Sequence, residues 1–449
     1  MKKVITYGTF DLFHEGHYRL LERAKQLGDY LIVGVTTENY DESRGKLNVK
    51  QGLMQRIENV KNSGFADEIL IEEYEGQKVN DIQKYKIDIF AIGSDWTGKF
   101  DYLKEYCEIV YLKRTKGISS TQLRAENNGI LKLGIIGYGR IANRFIKESK
   151  YVSGVNVEGV YGPNSASLKG FAEKHELAFI ENDLETFLDK LEAVYIASPH
   201  LTHYEYIKKS LKKGRHVLCE KPMVLSSKQA EEVYALANEN GCVLLEAIKT
   251  AYAPGFIRLV SIAKSGLIGR IKNIDATFTK LVEGDLRELN ANTAGGSVTE
   301  LATYPLLAII KLLGTEIETK YFYSYFDDKK NVDLFTKINL KYRNGIATAK
   351  IGLGVKAEGD LIISGTTGYI YVPSPWWKTE YFEVRYEDFS KNKKQFYKFE
   401  GDGLRYELAE FVSMIQNKYY QTYKLTPSES LAINSVIESF LNGENIERI

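Results

Sequence analysis

Residues 8–17 read GTFDLFHEGH, from Gly8 to His17. The apolar Val4–Tyr7 before them reads as a buried strand. Tyr18–Leu27 after them sets Leu20, Leu21, Ala24 and Leu27 on one helical face. The stretch is therefore a strand-to-helix turn. Working outward, Tyr30–Thr36, Glu68–Ile71, Ile87–Gly93 and Ile109–Leu112 read as strands and Gln51–Asn62 as a helix. Such alternation predicts an α/β fold around a parallel sheet. Ligands of these sheets collect outside the carboxyl ends of the strands, where GTFDLFHEGH falls.

The residue types in the turn name a chemistry. Gly8 allows an anion to approach the backbone closely. A helix start offers unpaired N–H groups and the positive end of the helix dipole. His14 and His17 share one face of the first turn. Both can donate hydrogen bonds to a phosphate as charge develops in an in-line displacement. A single histidine at a helix start is ordinarily structural, and a metal site needs further ligands that the neighbouring sequence lacks. Two histidines flanking Glu15-Gly16, after Gly-Thr-Phe-Asp, point to phosphate handling.

GTFDLFHEGH resembles the signature of the cytidylyltransferases within the HxGH nucleotidyltransferase superfamily. GSDWTGKFDYL (Gly93–Leu103) and RTKGISST (Arg114–Thr121) resemble the second and third signatures of glycerol-3-phosphate cytidylyltransferases. The similarity covers residues 1–126 and implies a Rossmann-like nucleotidyltransferase domain. It implies that His14 and His17 stabilise the α-phosphate of CTP and that Lys46 reaches phosphate from a loop. Gly8, Thr9, Phe10, Asp95, Trp96, Arg114, Ile118, Ser119 and Thr121 would bind the nucleotide. Asp11 and Arg56 would meet the acceptor, and Mg²⁺ would accompany CTP. Arg44 stands where the family often carries a second lysine.

Polar Arg124–Gly129 reads as a short boundary. Beyond it, Leu131–Ile136 reads as a strand, Gly137-Tyr138-Gly139-Arg140-Ile141-Ala142 fits GxGxxA, and Val155–Tyr161 reads as a second strand. In that pattern Gly137 makes the tight turn, Gly139 admits a pyrophosphate and Ala142 packs helix on strand. Tyr161–Ser165 carries neither the acid that favours NAD nor an arginine for a 2′-phosphate, so NAD or NADP stays open. Val194–Ser198 and Val217–Lys221 read as further strands, the second ending in Glu-Lys-Pro. There Lys221 stands at the carboxyl edge of the sheet and could polarise a carbonyl during hydride transfer.

These features resemble the glucose–fructose oxidoreductase and inositol dehydrogenase family, through GIIGYGRIANRF, SPHLTHYEY, CEKPM and EAIKTAYAPG in order. The resemblance implies an NAD(P)-dependent oxidoreductase with a dinucleotide-binding domain over 130–250. It adds Asn164, Ser198, His200, His203 and Glu220 to the cofactor site. Residues 251–449 would form an α+β substrate and oligomerisation domain with a largely antiparallel sheet. Strand candidates there are Ile271–Phe278, Phe335–Tyr342, Ile346–Ile351, Asp360–Ser364 and Tyr369–Val372, with closing helices at Leu404–Asn417 and Ser428–Leu441. GGSVTELATYP (Gly295–Pro305) matches the family's acid-then-His/Tyr element. On a helix that spacing puts Glu300 and Tyr304 on one face, with Tyr304 as acid/base beside Lys221.

The bulk numbers bound the rest. A chain of 449 residues accommodates two or three domains. Its net charge of +1 gives no field that selects nucleic acid or an anionic membrane. Three scattered cysteines fit a reduced, cytoplasmic setting, and no apolar run spans a bilayer. The combined expectation is a bifunctional, homo-oligomeric enzyme. One half transfers CMP to a polyol phosphate, the other reduces a carbonyl precursor, for a teichoic-acid-like or capsular polymer. The alternative is a cytidylyltransferase whose second half is a structural or sensing module, or acts on an unrelated sugar.

Overall fold

The computed structural model describes residues 1–113, 129–284, 286–327 and 329–449. Packing divides the chain into two compact units, residues 1–133 with 146–182, and residues 134–145 with 183–449. The first sheet has the order β3-β2-β1-β4-β5, with β1 Lys3–Gly8, β2 Tyr30–Thr36, β3 Glu68–Glu72, β4 Ile89–Gly93 and β5 Glu108–Leu112. All its pairings are parallel. Helices α1 (Glu15–Lys25), α2 (Glu38–Ser43), α3 (Leu53–Asn62) and α4 (Gln77–Tyr85) join the strands. Val4, Leu31, Val33 and Ile89 fill the core on one side of the sheet, and Ile5, Ile32 and Phe90 on the other. Being buried on both faces explains the unbroken apolar runs of these strands. Strand order reverses between β1 and β4, so the turns after Gly8 and Gly93 flank the switch point, where such folds bind ligands.

The second sheet has the order β11-β10-β9-β6-β7-β8, with β6 Leu131–Ile136, β7 Val155–Tyr161, β8 Phe179–Glu181, β9 Ala193–Ile196, β10 His216–Glu220 and β11 Leu244–Ala247. Its switch point lies between β6 and β9. The third sheet has nine strands, β19-β18-β17-β16-β12-β15-β14-β13-β20, mostly antiparallel, with β12–β15 and β13–β20 parallel. Its strands are β12 Ile271–Thr279, β13 Thr319–Asp327, β14 Val332–Tyr342, β15 Gly345–Gly352, β16 Leu361–Gly365, β17 Tyr369–Val372, β18 Tyr381–Arg385, β19 Lys393–Phe396 and β20 Ile446–Arg448. The buried helix Thr303–Leu313 packs on β12 and β15.

Two of the differences from the sequence expectation have a clear physical reason. Thr319–Asp327 is a strand that hydropathy conceals: Phe322 and Ser324 face inward while Tyr321, Tyr323 and Tyr325 are exposed, so both faces carry aromatic residues. The single helix expected through Glu300 and Tyr304 is instead Ser297–Leu301 followed by Thr303–Leu313. The chain bends by 45° there. Pro305 accounts for the break, because its ring collides with the carbonyl four residues earlier, that of Leu301. Among the described residues no single helix is long and apolar enough to cross a membrane.

Candidate active sites

At the switch point of the first sheet, the chain leaves β1 through two non-glycine residues with positive φ, Phe10 (51°) and Leu12 (46°). His14 then caps α1: its Nδ1 accepts the Gly16 N–H at 3.0 Å. The His14 and His17 rings stack at 4.0 Å. Gly16 is required by this fold-back, since a Cβ there would lie 2.8 Å from His14 Cε1. His17 is held neutral, its pKa pushed well down by burial first and then by His14 and Lys46. A neutral imidazole can still donate one hydrogen bond to a phosphate oxygen.

A polar network shapes the loops around the pair. Asp41 accepts from Thr9 Oγ1 (2.9 Å), Thr36 Oγ1 (2.7 Å) and Arg44 Nη2 (2.6 Å). Lys46 stands on the loop after α2, its Nζ donating to the Lys150 carbonyl at 2.7 Å. On the facing side, Asp95 pairs with Lys150 at 2.8 Å, and Trp96 meets Tyr151 edge-on.

Several expected ligand contacts are corrected. At Gly8 a Cβ would stand 3.0 Å from the Phe10 ring, so packing as well as any ligand favours glycine there. Phe10 is itself core, packed edge-on against His17. The Asp11 carboxylate is taken by the Lys50 and Gln51 amides at 3.0 and 2.9 Å, so it anchors the Lys46 loop. Arg56 has no exposed surface, and its guanidinium donates to the carbonyls of Thr9, Thr36 and Gln51. Fully enclosed, it cannot meet an acceptor directly and instead ties together the ends of β1 and β2. Arg114, Ile118, Ser119 and Thr121 lie outside the described residues. Sequence reading missed the buried Lys78–Glu72 ion pair beside Tyr7; no motif marks it.

In the second unit, Gly137 has φ 105°, and a Cβ on it would stand 2.6 Å from the Ala197 carbonyl oxygen. Only glycine fits between the ends of β6 and β9. Beside Gly139, by contrast, a Cβ would meet nothing within 4 Å. Open space at the start of the helix Arg140–Ser149 is what a pyrophosphate needs, so the loop fits a dinucleotide. Ala142 is buried, and Arg140 is paired with Glu288. In the first unit, Asn164 caps the helix Ser165–His175 by accepting from Ser167 N–H at 3.0 Å. Tyr138 and Ile141 stand within the same turn and first helical residues.

Lys221, Glu300, Tyr304 and His200 converge. Lys221 Nζ donates to the Glu300 carbonyl at 2.9 Å and lies 5.9 Å from the Tyr304 ring centre. The Glu300 carboxylate pairs with Arg287 at 2.8 Å and lies 3.8 Å from His200 Nδ1. The His200 pKa is pushed down to about 2, by burial first and then by Lys221, so the ring is neutral. Burial, then Glu220, Glu407 and Glu300, raise the Tyr304 pKa, so its hydroxyl keeps its proton. Phe278 backs Tyr304 at 5.1 Å and stacks on Trp377 at 3.8 Å. Asp333 on β14 accepts from Val298 N–H at 2.9 Å and so fixes the start of the helix carrying Glu300.

Here too roles shift. His203 is fully buried, with Nδ1 3.0 Å from the Pro222 carbonyl and Nε2 2.9 Å from that of Ser198. It braces the two turns instead of touching a cofactor. Ser198 Oγ shares a hydrogen bond with Thr202 at 2.7 Å. Glu220 accepts from Tyr195 OH, and burial raises its pKa. Arg287 is the residue sequence reading missed, lying in a stretch without a motif.

Comparison with known proteins agrees with this geometry. Residues 5–126 match the cytidylyltransferase-like family, and residues 131–247 the oxidoreductase family with an NAD-binding Rossmann fold. Glycerol-3-phosphate cytidylyltransferase of Bacillus spizizenii is 53% identical over 126 residues, 28% of this chain and 97% of that protein. The scyllo-inositol 2-dehydrogenase (NADP(+)) of Bacillus subtilis is 26% identical over 317 residues, 69% of this chain and 95% of that protein. A 3-ketoreductase from Actinomadura kijaniata, solved with NADP and TDP-benzene, shares the fold with a TM-score of 0.65. It is 21% identical and covers 71% of this chain and 99% of that one. The chain belongs to the cytidylyltransferase-like family through its first 126 residues and carries, fused behind them, a domain of the NAD-binding Rossmann oxidoreductase family.

Proposed function

We propose that the chain is a bifunctional enzyme. Its first half transfers CMP from CTP, with Mg²⁺, to a polyol phosphate, glycerol phosphate by similarity to the Bacillus spizizenii relative. The products are a CDP-activated polyol and pyrophosphate. Its second half reduces a carbonyl precursor with NAD(P)H. Such a product serves a teichoic-acid-like or capsular polymer. The observation that carries the reading is the stacked His14–His17 pair on the first turn of α1, with Lys46 close enough to lower the His17 pKa.

In CMP transfer the acceptor phosphate displaces pyrophosphate at the α-phosphorus. His14, His17 and the α1 N-terminus hold the charge that builds on the α-phosphate oxygens. Thr9, Asp95 and Trp96 line the nucleotide site, and Lys46 holds phosphate. In the second half, the loop Gly137–Ala142 holds the dinucleotide, which supplies hydride when bound. Tyr304 carries the proton for the substrate oxygen, and the Lys221 ammonium polarises that oxygen. Glu300, held by Arg287, orients the substrate, and His200 walls the site as a neutral ring.

Pyrophosphate release and NAD(P)H absorbance test both halves across a panel of polyol phosphates and carbonyl compounds. Lys221→Ala abolishes NAD(P)H oxidation and leaves pyrophosphate release intact, and His17→Ala does the reverse. Failure of every glycerol phosphate isomer as CMP acceptor removes the substrate assignment.

A further inference from the structure

The segment Lys150–Ser153 lies among the residues that match the oxidoreductase family, just after the helix Arg140–Ser149. Its contacts are nevertheless with loops of the cytidylyltransferase-like segment. Leu47 N–H donates to the Tyr151 carbonyl at 2.7 Å, and Ser153 N–H donates to the Leu47 carbonyl at 2.8 Å, closing a parallel bridge between Leu47 and Val152. Lys46 Nζ reaches the Lys150 carbonyl at 2.7 Å. Two of the four, Lys150 and Tyr151, also grip the turn after β4. Lys150 Nζ pairs with Asp95 at 2.8 Å, Tyr151 OH accepts from Lys99 Nζ at 2.8 Å, and the Tyr151 and Trp96 rings meet at 5.7 Å and 86°. Val152 and Ser153 are buried.

Of the two loops so held, one bears Lys46 and the other, the turn after β4 at the switch point, bears Asp95 and Trp96. A loop lysine and a turn tryptophan are free to wander unless something fixes the backbone beneath them. Ordering them in advance removes an entropic penalty from ligand binding. Nothing in dinucleotide binding requires a lysine–tyrosine pair on this side of the helix Arg140–Ser149. We propose that Lys150–Ser153 is a positioning segment for CMP transfer, supplied by the second half of the chain to hold the Lys46 loop and the Ser94–Trp96 turn as walls of the nucleotide site. This rests on the CMP-transfer reading above.

The test uses the full chain and its Tyr151→Ala, Tyr151→Phe and Lys150→Ala variants, with pyrophosphate release, CTP titration calorimetry and the NAD(P)H reaction measured on each. Tyr151→Ala raises the KM and the Kd for CTP about tenfold while kcat stays within about twofold. Tyr151→Phe keeps the ring against Trp96 and restores both constants to within about twofold. Lys150→Ala, which frees Asp95 but keeps the carbonyl that Lys46 meets, raises KM by about threefold. The NAD(P)H reaction is unchanged in all three. Unchanged CTP constants in Tyr151→Ala overturn the positioning role, as does equal loss in Tyr151→Ala and Tyr151→Phe. A parallel fall in both activities reveals a merely structural role and overturns it too. If the unaltered chain binds CTP but transfers no CMP, the reaction assignment fails and the calorimetric arm still decides the inference.

Discussion

Gly16→Ala separates stability from chemistry at the first site. A Cβ at residue 16 would stand 2.8 Å from His14 Cε1 and 3.0 Å from Nδ1, inside van der Waals contact, so the His14 ring swings away. Two things go with it: the 3.0 Å hydrogen bond from Gly16 N–H that caps α1, and the 4.0 Å stack on His17. Loss of a cap costs about 1 kcal/mol. Replacing a helical glycine by alanine returns about 1 kcal/mol. The two cancel, so thermal denaturation shifts by only a few degrees. The chemistry has no such compensation. Removing one positioned donor to a developing oxyanion costs about 3–4 kcal/mol, or about 10²–10³ in rate. Pyrophosphate release therefore falls at least about a hundredfold in a folded protein whose NAD(P)H reaction is intact. Release within about threefold of the parent refutes the claim that the His14 ring must lie folded over Gly16.

Tyr304→Phe, which removes only a hydroxyl, slows NAD(P)H oxidation by about 10²–10⁴-fold; unchanged cofactor binding by nicotinamide fluorescence shows the site is otherwise intact. Arg56→Lys destabilises the first unit by about 3–5 kcal/mol, because an ammonium cannot span the Thr9, Thr36 and Gln51 carbonyls and leaves Asp41 underpaired; denaturant unfolding measures it, and a loss below about 1 kcal/mol contradicts the enclosed network. Burial raises the Asp333 pKa to about 6. Its folded form therefore holds a proton that the unfolded chain releases near pH 4, so its stabilisation is complete below that pH and lost as pH rises through 6. The loss amounts to about 3 kcal/mol, and Asp333→Asn flattens this part of the stability–pH curve.

The two glycine-bearing strand-to-helix turns were legible because each is local. GTFDLFHEGH and GYGRIA each set strand, turn and helix within a dozen or so neighbouring residues, and glycine marks positions where a side chain collides. Gly137 shows the reasoning holding in detail, since its missing Cβ is what lets β6 and β9 close up. Gly8 carries a second constraint that the motif does not show, since a Cβ there would crowd the Phe10 ring at 3.0 Å. At Glu300 and Tyr304 the period-four count assumed an unbroken helix, whereas Pro305 bends this one, yet both residues still converge near Lys221.

By itself the sequence determined the alternation that makes two parallel sheets, the glycine turns at their switch points, and the choice of His14, His17, Lys221 and Tyr304 as candidate reactive groups. Tertiary structure alone decided which polar groups turn inward. Arg56, Asp11 and His203 have the chemistry of ligand-binding residues, yet main-chain groups distant in sequence use up their hydrogen-bonding capacity. It also brought Arg287 to Glu300 and Lys150–Ser153 to the Lys46 loop. Such pairings depend on where folded backbones meet, about 100 residues apart in the second case, and no local pattern of apolar, glycine or charged residues encodes them.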